Sequence, residues 1–259
     1  MKPAGPPHNG LVGRPKQTPL ETFEDNMADA RRLLELAGAL GNQRQRRMRR
    51  ELREKVGEAL GVQKRHRDSL DCVESERVFV ILKPDKGLIR DDFADEALRP
   101  LLRQAIVAIA AAVETYVADQ AICMIGSALD LDPLPKGLRE LSVSMAEVLD
   151  LERYQRRGWG HRRLLEDHLR QEASAAPSKI GQVFGTVGVE KLWRQVDAER
   201  KVKKGASETQ MDALAKRRNQ IAHSADWIGR GRAALGKDEV AAFERDAREI
   251  VEAIDAVLG

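Results

Sequence analysis

Apolar residues at Leu20, Phe23, Met27, Ala30, Leu33, Leu34 and Ala37 recur in steps of three and four, the spacing of one helix face. The pattern predicts a helix from Leu20, with Thr18 or Thr22 as its cap and a weak point or bend at Gly38 and Gly41. A second helical stretch reaches about Leu60. Val78-Phe79-Val80-Ile81-Leu82, followed by Lys83-Pro84-Asp85-Lys86-Gly87, reads instead as a strand running into a turn. No partner strand is evident, so a lone extended piece or at most a short hairpin is expected. Asp91 or Asp92 then opens the longest helical pattern, which runs to about Ala128, with Pro100 in its first turns or dividing it. Its middle, Ala105 to Val113, is apolar on every face, as a central buried helix is.

Beyond Asp132-Pro133-Leu134-Pro135, the stretch from Gly137 to about Ala173 reads as helical, interrupted at Gly158-Trp159-Gly160. Pro177 and Ser178 start a short amphipathic helix ending near Gly185 to Gly188. Val189 to Val196 forms another, and Arg200 to Gly205 is a basic loop. Ser207 is expected to cap a helix of about Glu208 to Ala225. A loop with Gly229, Gly231 and Gly236 leads to a last helix, Asp238 to Leu258. No internal repeat is evident. The expected fold is all-α, a helical bundle with at most one short extended or β segment near residues 78–82. Residues 1–19, with five prolines and three glycines, read as a flexible tail. Residues 20–259 are left as a single domain carrying a basic, insertion-like segment at about 42–90.

Composition narrows the class. With 42% hydrophobic, 4% aromatic and 33% charged residues, the chain is neither membrane-embedded nor disordered, and an all-β sandwich is disfavoured. The apolar run from Ala105 to Val113 is about half of what a membrane span needs, and Glu114 and Asp119 interrupt it. The N-terminal tail lacks the apolar core of a signal peptide. Cys72 and Cys123 have no metal-site spacing and read as reduced, partly buried thiols. A soluble, cytoplasmic protein with no membrane partner is expected. The net charge of +3 says little about partners, but its distribution is uneven. Between Arg44 and Arg67 ten basic residues, including Arg46, Arg47 and Arg50, face only Glu51, Glu54 and Glu58, a local charge of +7. A solvated helix face accounts for such a run as readily as a phosphate-binding surface does.

The segment from Ser207 to Ala225 carries the most chemistry. Met211, Leu214, Ile221, Ala222 and Ala225 form an apolar stripe at helical spacing, and Arg218 falls on it. A guanidinium on a core-facing stripe costs several kcal/mol unless it is paired or opens into a cleft. Glu114, a carboxylate within an apolar helix, poses the matching problem, and pairing of the two would resolve both. A purely structural buried ion pair explains the same residues. Asn219 and His223 share a helix face, whereas Arg218 and His223 are five steps apart, about 140° around the axis at ~100° per residue. Those two side chains diverge unless both border one cleft, such as one made where two copies of the helix meet. His161 and His168 stand seven apart on one helical face without an obvious third ligand. No metal site and no cofactor are expected.

The string Arg217-Arg218-Asn219-Gln220-Ile221-Ala222-His223 resembles the Arg-Asn-x-x-Ala-His signature of HEPN domains (higher eukaryotes and prokaryotes nucleotide-binding). More narrowly, the chain is similar to the RiboL-PSP-HEPN branch. The further landmarks are Val113-Glu114-Thr115-Tyr116, Ser178-Lys179-Ile180, Val183-Phe184, Val187-Gly188-Val189 and Leu192-Trp193, in the family's order. The resemblance covers the chain from about Leu20 onward. Arg44–Arg67 and Val78–Leu82 match no landmark and look like an insertion.

The resemblance implies an all-α bundle that dimerises, bringing the Arg/His motifs of two protomers together in a basic cleft. It also implies a metal-independent endoribonuclease of toxin–antitoxin or anti-phage defence systems, with an antitoxin or a defence complex as possible protein partner. Arg218 and His223 would be the catalytic pair, Asn219 their polar helper and Glu114 the acid that orients Arg218. This set suits strand transfer by the ribose 2′-OH. An imidazole titrates near neutral pH and can move the proton, while a planar guanidinium fits the charge on the phosphorane. Arg46, Arg47, Arg50, Lys203, Lys204 and Arg217 are the expected RNA contacts, with Arg200 and Lys201 in the same basic loop. Trp193 and Trp227 are expected in the core or an interface. The alternative is a catalytically silent HEPN module that binds RNA or nucleotide, or mediates assembly of a defence complex.

Overall fold

The computed structural model of the chain describes residues 17–41, 44–46, 50–74, 79–82, 95–151 and 157–259. The described elements are, in order, α1 (Pro19–Gly41), β1 (Arg44–Arg46), α2 (Arg50–Ala59), a 3-10 turn (Lys64–Ser69), β2 (Leu70–Glu74), β3 (Phe79–Leu82), α3 (Asp95–Leu129), α4 (Lys136–Arg139) and α5 (Met145–Leu151). They continue with α6 (Arg157–Glu172), α7 (Pro177–Thr186), α8 (Leu192–Glu199), α9 (Ala206–Ser224), β4 (Trp227–Ile228), β5 (Gly231–Arg232) and α10 (Lys237–Leu258). The all-α class stands. The expectation of at most one extended segment does not. β3 pairs antiparallel with β2, and β2 pairs antiparallel with β1, making a small three-stranded sheet. The expected tail at 1–19 and the start of the strand at Val78 lie largely outside the described residues.

Chain packing divides into two compact units. One comprises residues 1–26, 112–207 and 249–259, the other 27–111 and 208–248, so α1, α3, α9 and α10 each contribute to both. In the first unit Phe23 and Tyr116, both fully buried, meet edge to face with ring centroids 6.0 Å apart. The Tyr116 hydroxyl donates to Asp255 Oδ1 at 3.1 Å, and burial together with that carboxylate pushes the phenol pKa far up. Ile180, Val183, Phe184, Leu192, Val196 and Ile254 are buried in the same unit. The second unit buries Met27, Ala30, Leu34, Ile106, Ile109, Met211, Leu214 and Val240.

Several boundaries follow from local chemistry. Thr18 caps α1 in a reciprocal box. Its hydroxyl accepts from Glu21 N–H at 3.2 Å, and Glu21 Oε2 accepts from Thr18 N–H at 2.8 Å. Pro19 takes the first helical position, where a missing N–H costs nothing. Pro100 sits in the second turn of α3 without ending it. Gly158-Trp159-Gly160 do not break a helix, because they form part of the first turn of α6. Val189 to Val196 is not one helix either: Lys191 adopts φ 53° and α8 starts only at Leu192. α3 is long and apolar enough to cross a membrane, with a mean hydropathy of 1.5 over Leu98–Leu129, more than the run Ala105–Val113 suggested. Half of that window is buried inside the molecule, which is the state of a core helix. Cys123, on α3, is an exposed free thiol rather than a partly buried one.

Gly137 in α4 is required by close approach. A Cβ there would stand 2.6 Å from the Thr186 Cα, a backbone atom at the end of α7 that cannot swing aside. Gly137→Ala should therefore lower stability by ~1–3 kcal/mol, read as a reduced urea midpoint with an unchanged slope.

The start of α9 is held by Asp197 on α8. This carboxylate, 4% exposed, accepts from Gly205 N–H at 2.6 Å and from Ser207 N–H at 3.0 Å. Ser207, expected to cap the helix, instead lies inside it, since α9 starts at Ala206. It is buried, and its hydroxyl accepts from Arg200 Nη1 at 2.8 Å. Burial alone would raise the Asp197 pKa, but the bonds from the Ser207 hydroxyl, the Ser207 amide and the Gly205 amide together bring it below the usual aspartate range. A depressed folded-state pKa contributes stability that is fully present above the unfolded value and is lost as pH falls through the folded one. Asp197→Asn should cost ~1.5–3 kcal/mol at pH 7. In urea melts repeated at decreasing pH, the wild-type advantage should shrink only below about pH 4.

Candidate functional site

The site is built on the C-terminal half of α9 and the turn that ends it. Met211, Leu214, Ala215 and Ile221 are buried along one side of this helix. Arg218 lies on the same side and is half-buried. Ala222 and Ala225, expected to complete the apolar stripe, are exposed, Ala225 lying beyond the helix end at Ser224.

Two consecutive residues without glycine's freedom, Ala225 and Asp226, adopt left-handed backbone at φ 49° and 67°. Asparagine and aspartate tolerate this region, but alanine does so at a cost of roughly 1–2 kcal/mol. The distortion turns the chain back, so that Asp226 N–H donates to the Gln220 carbonyl at 3.2 Å and Ala233 N–H donates to the Asp226 carbonyl at 2.7 Å. Between those two bonds runs a tight hairpin. β4 pairs with β5, Trp227 standing opposite Arg232 and Ile228 opposite Gly231.

The Asp226 side chain compensates the strained turn. It is completely buried, and a buried carboxylate must be paired. Arg103 of α3, 6% exposed, donates from Nε to Oδ2 at 2.7 Å and from Nη2 to the Ala233 carbonyl at 3.3 Å. Arg217 of α9 donates from Nη1 to Oδ1 at 2.8 Å and from Nη2 to Oδ2 at 3.3 Å, and Nη2 also reaches the Ala234 carbonyl at 2.8 Å. Arg217 Nε, buried without a hydrogen bond, lies 3.7 Å from Glu239 Oε1. Two guanidiniums on one carboxylate leave one positive charge in excess, which those carbonyl dipoles and Glu239 offset. This cluster clamps the end of α9, the hairpin and α3 together within the second unit.

The sequence-predicted residues fall around this clamp as follows. Arg218 Nη1 donates to Asn219 Oδ1 at 3.1 Å. Asn219 and His223 are both exposed, one turn apart on the solvent side of α9. Glu114 belongs to the first unit, where it is half-buried and its Oε1 accepts from Ala175 N–H at 3.4 Å. Of the expected RNA contacts, Lys203 and Lys204 are exposed in the loop before α9, and Arg50 is exposed in the first turn of α2. Arg46 lies in β1, its side chain outside the described residues, as is Arg47 altogether. Arg217 and Arg200 have structural work instead. Arg217 holds Asp226, and Arg200, with a side chain only 7% exposed, pairs with Glu249 at 2.8 Å.

Trp193 is half-buried and donates its indole N–H to the Pro177 carbonyl at 3.0 Å. Trp227, expected in the core or an interface, is instead 53% exposed beside Ile228 at 61%. Sequence reasoning also missed Arg103 and Asp226. Arg103 carried the same signal as Glu114, a charge within the buried central helix. A cavity of about 870 Å³ lies in the first unit, lined by His168 and Thr186 among others, and none of the predicted site residues borders it. Among the described residues, no three His, Cys, Asp or Glu side chains are grouped to hold a metal.

The family comparison is consistent with this helical architecture. The family model described as RiboL-PSP-HEPN matches residues 81–259, which leaves α1, α2 and most of the small sheet ahead of the matched region. The match therefore begins later than the resemblance from Leu20 suggested. Searches of curated proteins and of solved structures return no match. Covering well over half of the chain, the match suggests an RNA-related or defence-associated role, and the chain belongs to the RiboL-PSP-HEPN family.

Proposed function

We propose that the protein is an endoribonuclease that cleaves RNA by 2′-OH transesterification in a toxin–antitoxin or anti-phage defence setting. The observation that carries this reading is the state of α9. Arg218 is half-buried and bonded to Asn219, and His223 is open to solvent one turn further on. A positioned cation and a solvent-accessible imidazole on one helix end meet the needs of this reaction. The ribose 2′-OH loses its proton as it attacks the adjacent phosphorus. The bond to the 5′-oxygen of the next nucleotide breaks, and that oxygen takes up a proton. His223 serves the proton movements, while Arg218 stabilises the phosphorane charge. The products are a 2′,3′-cyclic phosphate and a 5′-OH. The nucleophile belongs to the substrate, so DNA is not cut.

Arg218 and His223 point about 140° apart on an ideal helix, which supports a site shared by two copies of α9 in a homodimer. Exposed Lys201, Lys203 and Lys204 of the first unit and exposed Arg50 of the second are each offered as a phosphate contact. Arg217 is assigned to positioning, because its donors are committed to Asp226 and Ala234.

With total RNA in the presence of EDTA, His223→Ala should lower cleavage by roughly 100-fold or more, and Arg218→Ala by a similar factor. Arg218→Lys should not restore it, since an ammonium lacks the planar fork. Cleavage that persists in His223→Ala removes that residue from the mechanism. RNA binding without cleavage by the wild type favours the silent module. A strict monomer in sedimentation at all concentrations contradicts the shared site.

A further inference from the structure

The hairpin after α9 leaves two large apolar and two basic side chains open to solvent. It begins at Trp227, four residues past His223. Trp227 and Ile228 are both more than half exposed, although burial is the usual state of such side chains. Trp227 lies directly opposite Arg232 in the antiparallel register, so the indole and the guanidinium share one face. Gly229, at φ 60°, takes the first central position of the two-residue turn, which puts Arg230 at its tip. Arg230 and Arg232 are exposed and form no ion pair among the described residues. From residue 217 to 232 the chain carries four arginines and a single acid, Asp226, which is buried and already neutralised.

We infer that the Trp227–Arg232 hairpin is the substrate platform of the protein, gripping single-stranded RNA by stacking an unpaired base on Trp227 and pairing phosphates with Arg230 and Arg232. The inference rests on the endoribonuclease reading and adds the substrate form to it. An exposed indole flanked by unpaired arginines is the combination that single-strand binders use, since every base has a face to stack and every linkage a charge. Bases within a duplex are already stacked and unavailable, so single strands are selected. A two-fold contact between copies through the same hairpin would bring four arginines together, which the like charges disfavour. The buried clamp on Asp226 gives the platform a fixed base on the helix that carries His223.

The test is fluorescence anisotropy of the full-length protein with a labelled 2′-O-methyl single-stranded oligonucleotide, which binds but cannot transesterify, and with its duplex. Trp227→Ala should weaken single-strand binding by about 5- to 150-fold, the range for loss of one stacked base, while Trp227→Phe retains most of the affinity. Arg230→Ala with Arg232→Ala should reduce the slope of log affinity against log salt by about 1.4, two contacts on a single strand. Wild type should prefer the strand to the duplex. Circular dichroism melts should be little changed, since the substituted side chains are exposed. Unchanged affinity in Trp227→Ala, with wild type and variant both cutting unmodified RNA, overturns the platform and leaves the proposed activity standing. Neither binding nor cleavage by wild type overturns both. Unchanged RNA affinity with a shift from dimer to monomer in sedimentation assigns the hairpin to contact between copies and overturns the platform.

Discussion

The carboxylate of Asp226 is the constraint on which the functional end of the second unit depends. It is completely buried, and the residue before it, Ala225, sits on costly left-handed backbone, so the turn would oppose folding twice, through desolvation of Asp226 and through strain at Ala225. Arg103 and Arg217 reverse that balance. Each arginine also bonds a carbonyl of the segment beyond the hairpin, at Ala233 and Ala234. One ion cluster therefore fixes three things together: where α9 stops, how the chain leaves it, and where the hairpin stands. Replacing such a cluster by apolar groups can be neutral, but removing one member leaves a buried charge and typically costs 3–5 kcal/mol. The arrangement is accordingly a strong determinant of geometry.

The clamp also separates the roles of two adjacent arginines. Arg217 and Arg218 are about 100° apart around the helix, and that step sends one into the clamp and leaves the other half-buried beside Asn219. On the proposed reading, the first positions and the second acts on phosphate. The opposite end of α9 is treated in a similar way. Asp197 receives the amides of Gly205 and Ser207, and Arg200 is drawn inward, which leaves Lys201, Lys203 and Lys204 as the exposed charges of that loop.

Much of the fold was legible because helical periodicity is local. α1, α3, α7, α9 and α10 were all found, and boundary errors came where loop chemistry decides, as at Lys191 and Gly158 to Gly160. The sheet was missed because its first two strands, Arg44-Gln45-Arg46 and Leu70-Asp71-Cys72-Val73-Glu74, are short and carry charges that mask alternation. The Arg103–Asp226 pair spans 123 positions and has no local signature, though Arg103 stands out as a cation in an apolar helix. The hairpin did have one, the Gly-Arg turn after Trp227-Ile228, but three glycines in one loop suggested irregular chain. Arg218 was recognisable for the reason that Arg103 should have been, a charge placed on a buried stripe.

The central claim, that the Asp226 charge holds the end of α9 and the hairpin as one piece, is tested most directly by residue-resolved amide hydrogen exchange on wild type and Asp226→Asn. In the wild type the Ala233 amide, bonded to the Asp226 carbonyl, should be protected. In the variant its protection should fall at least ~10-fold, the equivalent of about 1.4 kcal/mol, together with that of the Asp226-position amide, while Met211 and Leu214 in the middle of α9 stay protected. Equal protection at position 233 in both proteins would show that the turn and hairpin stand without the buried charge, and would contradict the account.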